Sequence, residues 1–264
     1  MLAELVRTNA TKARLAAGET VYGCFVRYPD PGLAELVALQ GFDFLVLDGE
    51  HGTMEPRECE NMVRAAELRD VTPLVRVPAN EAPVILRFMD TGAQGVHIPL
   101  ATSAEDADAA VRAVKYWPRG TRGLTGVRAA SYGQEEPLAE YVAQANEETL
   151  VVVQIETREA LERVSEIASV DGVDVVFVGP TDLSHALGVP GQLSHPLVEE
   201  AYETVVRGMT DSPAALGVLV PDADGARRWR ARGARYVAVT VDSLVTRTAR
   251  AFLASVRAGV EANV

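Results

Sequence analysis

Eight short apolar runs, separated by stretches of helical spacing, constrain this 264-residue chain more than any other feature. They fall at residues 21–26, 44–48, 73–77, 95–99, 150–156, 173–179, 215–220 and 236–241. Near-continuous apolar runs of this length suit strands buried on both faces, as in parallel sheets. The segments between them carry helix starts: Pro56 opens 56–69, and Ser103 precedes 104–115 with Asp106 three residues on, a box-like cap. Alternating strands and helices imply a parallel α/β sheet, and eight repeats favour closure into a (β/α)8 TIM barrel over an open doubly wound sheet. Residues 1–264 then form one domain, a length that barrels reach as single units. The first 19 residues read as an amphipathic helix rather than a signal peptide, because charges interrupt every apolar run. One connection breaks the rhythm. Residues 117–148, with glycines at 120, 123, 126 and 133, leave the fourth helix at the bottom of the barrel. This long loop is expected to pack there or to reach a neighbouring subunit.

Composition narrows the partners. Hydrophobic residues at 48% and charged residues at 23% suit a sizeable globular core. A net charge of -12 disfavours nucleic acid, whose phosphates need concentrated Lys and Arg. Cys24 and Cys59 lack metal-type spacing and suit a reducing cytoplasm. No run approaches the ~20 apolar residues of a membrane span. A soluble, cytoplasmic protein is expected.

Barrel active sites lie at the C-terminal ends of the strands, and four of those ends carry polar residues. The second reads DGEHG. There Asp48 can accept a hydrogen bond from the His51 ring and raise the basicity of its other nitrogen, forming a base dyad. Alternatively Asp48 caps backbone amides and His51 lies at the surface; Glu50 is expected to be solvated or backbone-paired. Arg76 sits inside the apolar third strand, where an unpaired guanidinium is costly. It must meet a carboxylate, a ligand or both, and as a fixed positive charge it suits a substrate carboxylate or a developing enolate oxygen. Gln154 and Glu156 are two apart, so both point into the barrel mouth. At the sixth strand Gly179 and Pro180 make a turn, and Thr181 and Asp182 open a short helix whose first amides suit a carboxylate. Glu156 and Asp182, converging from adjacent strands, suggest a divalent metal with oxygen ligands. The bland alternative pairs Glu156 with Arg76 and leaves Asp182 as an N-cap. Lys12 and Lys115, the only lysines, belong to helices, so a Schiff base has no obvious nucleophile. His97, within an apolar strand, reads as a core histidine, and His185 and His195 as structural or surface residues.

The segments FDFLVLDGEHG, PLVRVPAN, MDTGAQGVHIP, the TRG of the long loop, VVVQIET and VDVVFVGPTDLSHALGVPG span most of residues 20–191. Together they resemble the class II pyruvate-dependent aldolases, the family of 4-hydroxy-2-oxoheptanedioate and 2-dehydro-3-deoxyglucarate aldolases. The resemblance implies that Glu156 and Asp182 ligate Mg, Mn or Co. It implies that Gln154 and the backbone around Gly179, Pro180, Thr181 and Asp182 hold a 2-oxo acid. His51 with Asp48 would be the base dyad and Arg76 the enolate stabiliser. The implied reaction is reversible cleavage of a 4-hydroxy-2-oxo acid, through a metal-bound enolate, to an aldehyde and pyruvate or a close 2-oxo acid. Relatives further imply a trimer-based homo-oligomer, typically a hexamer, with the C-terminal helix exchanged between neighbours and Asp90 near an interface. Beyond about residue 192 the match is generic. Phe25 and Arg27, on the rim of the first strand, are candidates for the aldehyde pocket. Three rivals remain: oxaloacetate decarboxylation, which needs no base; cleavage of an acyl-coenzyme A thioester, which predicts a basic patch; and non-catalytic binding of a 2-oxo acid.

Overall fold

The computed structural model describes residues 6–134 and 137–261, and eight parallel strands close into a barrel in sequence order, β8 pairing back on β1. They are β1 (Val21–Val26), β2 (Phe44–Asp48), β3 (Thr72–Arg76), β4 (Gly95–Ile98), β5 (Leu150–Ile155), β6 (Val175–Val178), β7 (Ala215–Leu219) and β8 (Tyr236–Thr240). Every expected strand forms, and most end one residue before the apolar run does, where the chain turns into the mouth. The period of two sorts the side chains. Phe25, Phe44, Val46, Leu74, Val152 and Phe177 fill the interior, whereas Cys24, Leu45, Leu47, Val75 and Val153 pack against the surrounding helices. Large rings need small neighbours inside. Phe44 stacks on Tyr236 at 4.1 Å between ring centroids, and a Cβ on Gly23 would lie 2.0 Å from the Phe44 ring.

Local expectations hold less evenly. The helix Pro56–Glu67 carries a full reciprocal capping box between Glu55 and Glu58. At Ala104–Val114 only half of the expected box forms. Ser103 accepts the Asp106 amide, but the Asp106 carboxylate turns to the Thr102 amide and hydroxyl, both at 2.8 Å. The expected N-terminal helix contracts to Ala10–Ala16, capped by Asn9, and residues 1–5 lie outside the described residues.

The connection 117–148 is not loop throughout. It holds a 3-10 segment, Arg128–Gly133, and a helix, Leu138–Glu148, while residues 135–136 lie outside the described residues. Its Tyr141 and Ala145 pack with Tyr116 and Ala130 in a satellite core under the barrel. The Asn146 amide bonds both the N–H and the C=O of Tyr116. The connection packs at the bottom, one of the two fates expected for it; there Arg122 pairs with Asp90 at 2.8 Å. Among the described residues no helix is long and apolar enough to cross a membrane. The C-terminal helix, Val241–Glu261, leaves Val245, Phe252, Leu253 and Val256 between 46% and 66% exposed.

Candidate active site

At the C-terminal mouth of the barrel a small cavity, about 40 Å3, is lined by Arg76, Gln154, Gly179, Pro180, Thr181 and Asp182, with Phe25, Arg27, Phe177, Leu219 and Thr240 around them. Strand parity and turn position thus bring most of the expected residues to one place. Two larger cavities, about 380 and 420 Å3, lie at the opposite end, against the 117–148 connection, and contain none of the expected residues.

Glu156 stands beside the small cavity, almost fully buried. Its Oε2 accepts a hydrogen bond from Gln154 Nε2 at 2.9 Å, and its Oε1 accepts the Leu100 amide at 2.6 Å. A Cβ on Gly179 would come within 3.0 Å of Glu156 Oε2, so the glycine lets the β6 turn lie against the carboxylate without displacing it. Leu100 holds φ at 54°, a left-handed backbone that leucine rarely adopts, beside the Glu156 carboxylate. No sequence signal marked Leu100.

The Asp48–Arg76 pair is the other half of the site. Arg76 Nε and Nη2 donate to the two Asp48 oxygens at 2.9 and 2.6 Å, and its guanidinium carbon sits 5.1 Å from the Phe25 ring centroid. Asp48 Oδ1 also accepts the Glu50 and His51 amides, each at 3.1 Å. Burial works against the Asp48 charge, but Arg76 and these amides outweigh it and hold the carboxyl below its usual range. The imidazole–carboxylate bond of the expected dyad is therefore not formed. The guanidinium occupies the carboxylate, and His51 meets Asp48 through its backbone while its side chain is exposed. Glu50 also departs from expectation. Instead of being solvated it is half-buried, with Oε2 3.2 Å from Arg76 Nη1. Burial, and then the nearby Asp48 and Asp182 carboxylates, raise its pKa against the pull of Arg76. The bland pairing of Glu156 with Arg76 does not occur among the ion pairs. His195 caps the helix Pro196–Gly208 through Nδ1, a structural role.

The lysines lie at the wrong end for covalent chemistry. Lys12 and Lys115 both donate Nζ to the Thr149 carbonyl, at 2.9 and 2.6 Å, just before β5 begins. Burial lowers Lys115 to about 7, a nucleophile's range, yet the length of β5 keeps it roughly 20 Å from Glu156 at ~3.3 Å per residue.

The carboxylates suit a cation. Burial first, and then the charges of Glu50 and Asp182, raise the pKa of Glu156, the sign of a site short of positive charge. Among the described residues no three or more His, Cys, Asp or Glu side chains are placed so that together they could hold a metal ion. A cation would thus take two carboxylates and leave its remaining positions to substrate and water, a pattern that hard, oxygen-preferring ions accept.

Residues 21–249 match the model of the HpcH/HpaI aldolase/citrate lyase family. The chain belongs to this family. It is similar to a hydroxypyruvate/pyruvate aldolase of Sagittula stellata, at 40% identity over 91% of this chain and 94% of the relative. A 4-hydroxy-2-oxovalerate aldolase of Rhodococcus jostii is 39% identical over 89% of this chain and 90% of that one. A solved HpcH/HpaI family structure from Burkholderia cenocepacia superposes with a TM-score of 0.89 at 35% identity, covering 95% of this chain and 100% of the other. This HpcH/HpaI family member is a carbon–carbon lyase of the aldolase kind, and its family generally depends on divalent metal.

Proposed function

We propose that this aldolase reversibly cleaves a 4-hydroxy-2-oxo acid to an aldehyde and pyruvate or a close 2-oxo acid. One observation carries the reading: Arg76, Gln154 and Asp182 converge on a single mouth cavity beside Glu156, in a chain 40% identical to a hydroxypyruvate/pyruvate aldolase. A divalent cation held by Glu156 and Asp182, whether Mg, Mn or Co, would supply Lewis acidity to the bound 2-oxo acid. Gln154 and the turn 179–182 receive the carboxylate end; the Thr181 and Asp182 amides lie in the first helical turn, where the helix itself leaves them unbonded. His51, exposed at the mouth, takes the proton of the 4-hydroxyl. The bond between carbons three and four breaks, the aldehyde leaves, and its electron pair stays as a pyruvate enolate facing Arg76. Protonation at carbon three gives pyruvate. Asp48 serves this scheme by holding Arg76 and the turn that carries His51, rather than by contacting the imidazole.

Pyruvate release from 4-hydroxy-2-oxo acids, followed by lactate dehydrogenase coupling, tests the reading. Turnover should disappear after EDTA treatment and return with Mn or Mg. Full activity in the chelated enzyme would overturn the metal assignment, and a panel of such acids yielding no pyruvate would overturn the aldolase.

The same proposal includes a cytoplasmic setting and a hexamer built from trimers. Cys24 and Cys59 are both free and buried, which suits a reducing compartment. The exposed apolar face of Val241–Glu261 supports exchange of that helix with a neighbouring subunit. Phe252→Glu combined with Val256→Glu should then reduce the sedimenting mass without unfolding the barrel. An unchanged mass would reject this face as the contact.

A further inference from the structure

Gln154 Oε1 and His97 Nδ1 are among the buried polar atoms near the site that lack a hydrogen-bond partner. Both residues lie inside the barrel, on adjacent strands, and are 1% and 0% exposed. Gln154 gives its Nε2 to Glu156 at 2.9 Å, so its oxygen must point away from that carboxylate. The imidazole lies within interacting reach of this amide. On its other side, His97 Nε2 is 2.6 Å from the Tyr236 hydroxyl. Tyr236 is fully buried, which keeps its proton on oxygen, and burial drives the His97 pKa down to about 3, so the ring is neutral and carries one N–H.

The two unpartnered atoms do not reach a hydrogen bond in the structure, but one placement of the protons lets them face each other as donor and acceptor. In it Tyr236 O–H donates to His97 Nε2 and Gln154 Nε2–H to Glu156, which leaves Nδ1–H of His97 to turn toward Gln154 Oε1. We propose that His97 is a positioning residue for the cation site: as the Nδ1–H tautomer it clamps the Gln154 amide, which in turn orients the Glu156 carboxylate. The second N–H of Gln154, which lines the cavity, is left to donate to an oxygen of the 2-oxo acid, so Gln154 meets substrate as a donor. This rests on the reading that Glu156 holds a divalent cation. Partners that fix the orientation of metal ligands typically change metal affinity or activity by about 10- to 100-fold.

The test uses full-length metal-free enzyme titrated with Mn, with free Mn read by electron paramagnetic resonance. His97→Leu removes the donor but keeps an apolar shape; it strands the Tyr236 hydroxyl and lowers the thermal midpoint, and at a temperature well below that midpoint it should weaken Mn binding by roughly 10- to 100-fold. His97→Asn offers an amide N–H close to where Nδ1 stands, and should recover Mn affinity to within a few-fold. Nitrogen-15 spectra of the wild-type protein should show His97 protonated at Nδ1, its resonance identified by its loss in His97→Asn. Wild-type affinity in His97→Leu, no recovery in His97→Asn, or a proton on Nε2 would each overturn the proposal. Failure of the underlying reading looks different: wild-type enzyme would not bind Mn, or Glu156→Gln would bind it unchanged, while the spectra would still report the tautomer.

Discussion

Arg76→Met should fail twice, in folding and in turnover. The guanidinium is held by Asp48 and Glu50, with its side chain 11% exposed and that of Asp48 1%. Removing one member of such a pair leaves the other charge buried and typically costs about 3–5 kcal/mol, a large share of a domain's net stability. Urea unfolding should register this as an earlier midpoint. Chemistry suffers independently, because a positive charge aimed at a developing oxyanion is worth on the order of 100- to 1000-fold in kcat. The double variant Arg76→Met, Asp48→Asn separates the effects. It should regain part of the stability, since the neutral amide no longer strands a charge beside the introduced thioether, and none of the turnover. Recovery of turnover in the double variant would reduce Arg76 to a structural ion-pair partner.

His51→Ala should show the opposite profile. The ring is exposed, and its backbone bond to Asp48 survives truncation, so stability should change by no more than about 0.5 kcal/mol. Aldol cleavage should fall by roughly 100- to 10,000-fold, the usual weight of a positioned general base. Decarboxylation of oxaloacetate passes through the same enolate but needs no base, so whatever rate the wild type has should persist. Parallel loss of both reactions would mean that His51 acts in binding, and unchanged cleavage would remove it from the mechanism.

The barrel was legible because buried parallel strands tolerate few polar residues, so eight apolar runs stood out against their surroundings. Parity carried much of the site as well. Asp48, Arg76, His97 and Gln154 each share the register of interior residues such as Val46, Leu74 and Val152, which places their side chains inside whatever the turns do. Partner choice was not legible. Nothing in DGEHG distinguishes a carboxylate bonded to imidazole from one bonded to a guanidinium on the next strand, because that outcome depends on the β2–β3 register that sets Asp48 opposite Arg76. Glu50 was missed for the same reason. Leu100 contributes a backbone amide, which leaves no trace in side-chain identity. The helix Leu138–Glu148 did leave a trace: Leu138, Tyr141, Val142 and Ala145 follow helical spacing. Nearby glycines and acidic residues outweighed it.

The packed interior also imposes an order of events. Beneath the cavity Phe25, His97, Phe177 and Tyr236 close the barrel, with ring centroids 5.1–5.9 Å apart, so nothing passes through from the opposite end. The site is a blind well with one opening, and whichever molecule binds deepest must arrive first and leave last. On the proposed reading the 2-oxo acid takes the floor, at Gln154 and the turn 179–182, and the aldehyde sits above it. Synthesis should then be ordered, donor before acceptor, with cleavage releasing the aldehyde first. Excess aldehyde, by lodging over an empty floor, should block the donor and slow the very reaction it feeds, which initial-rate kinetics at rising aldehyde would read.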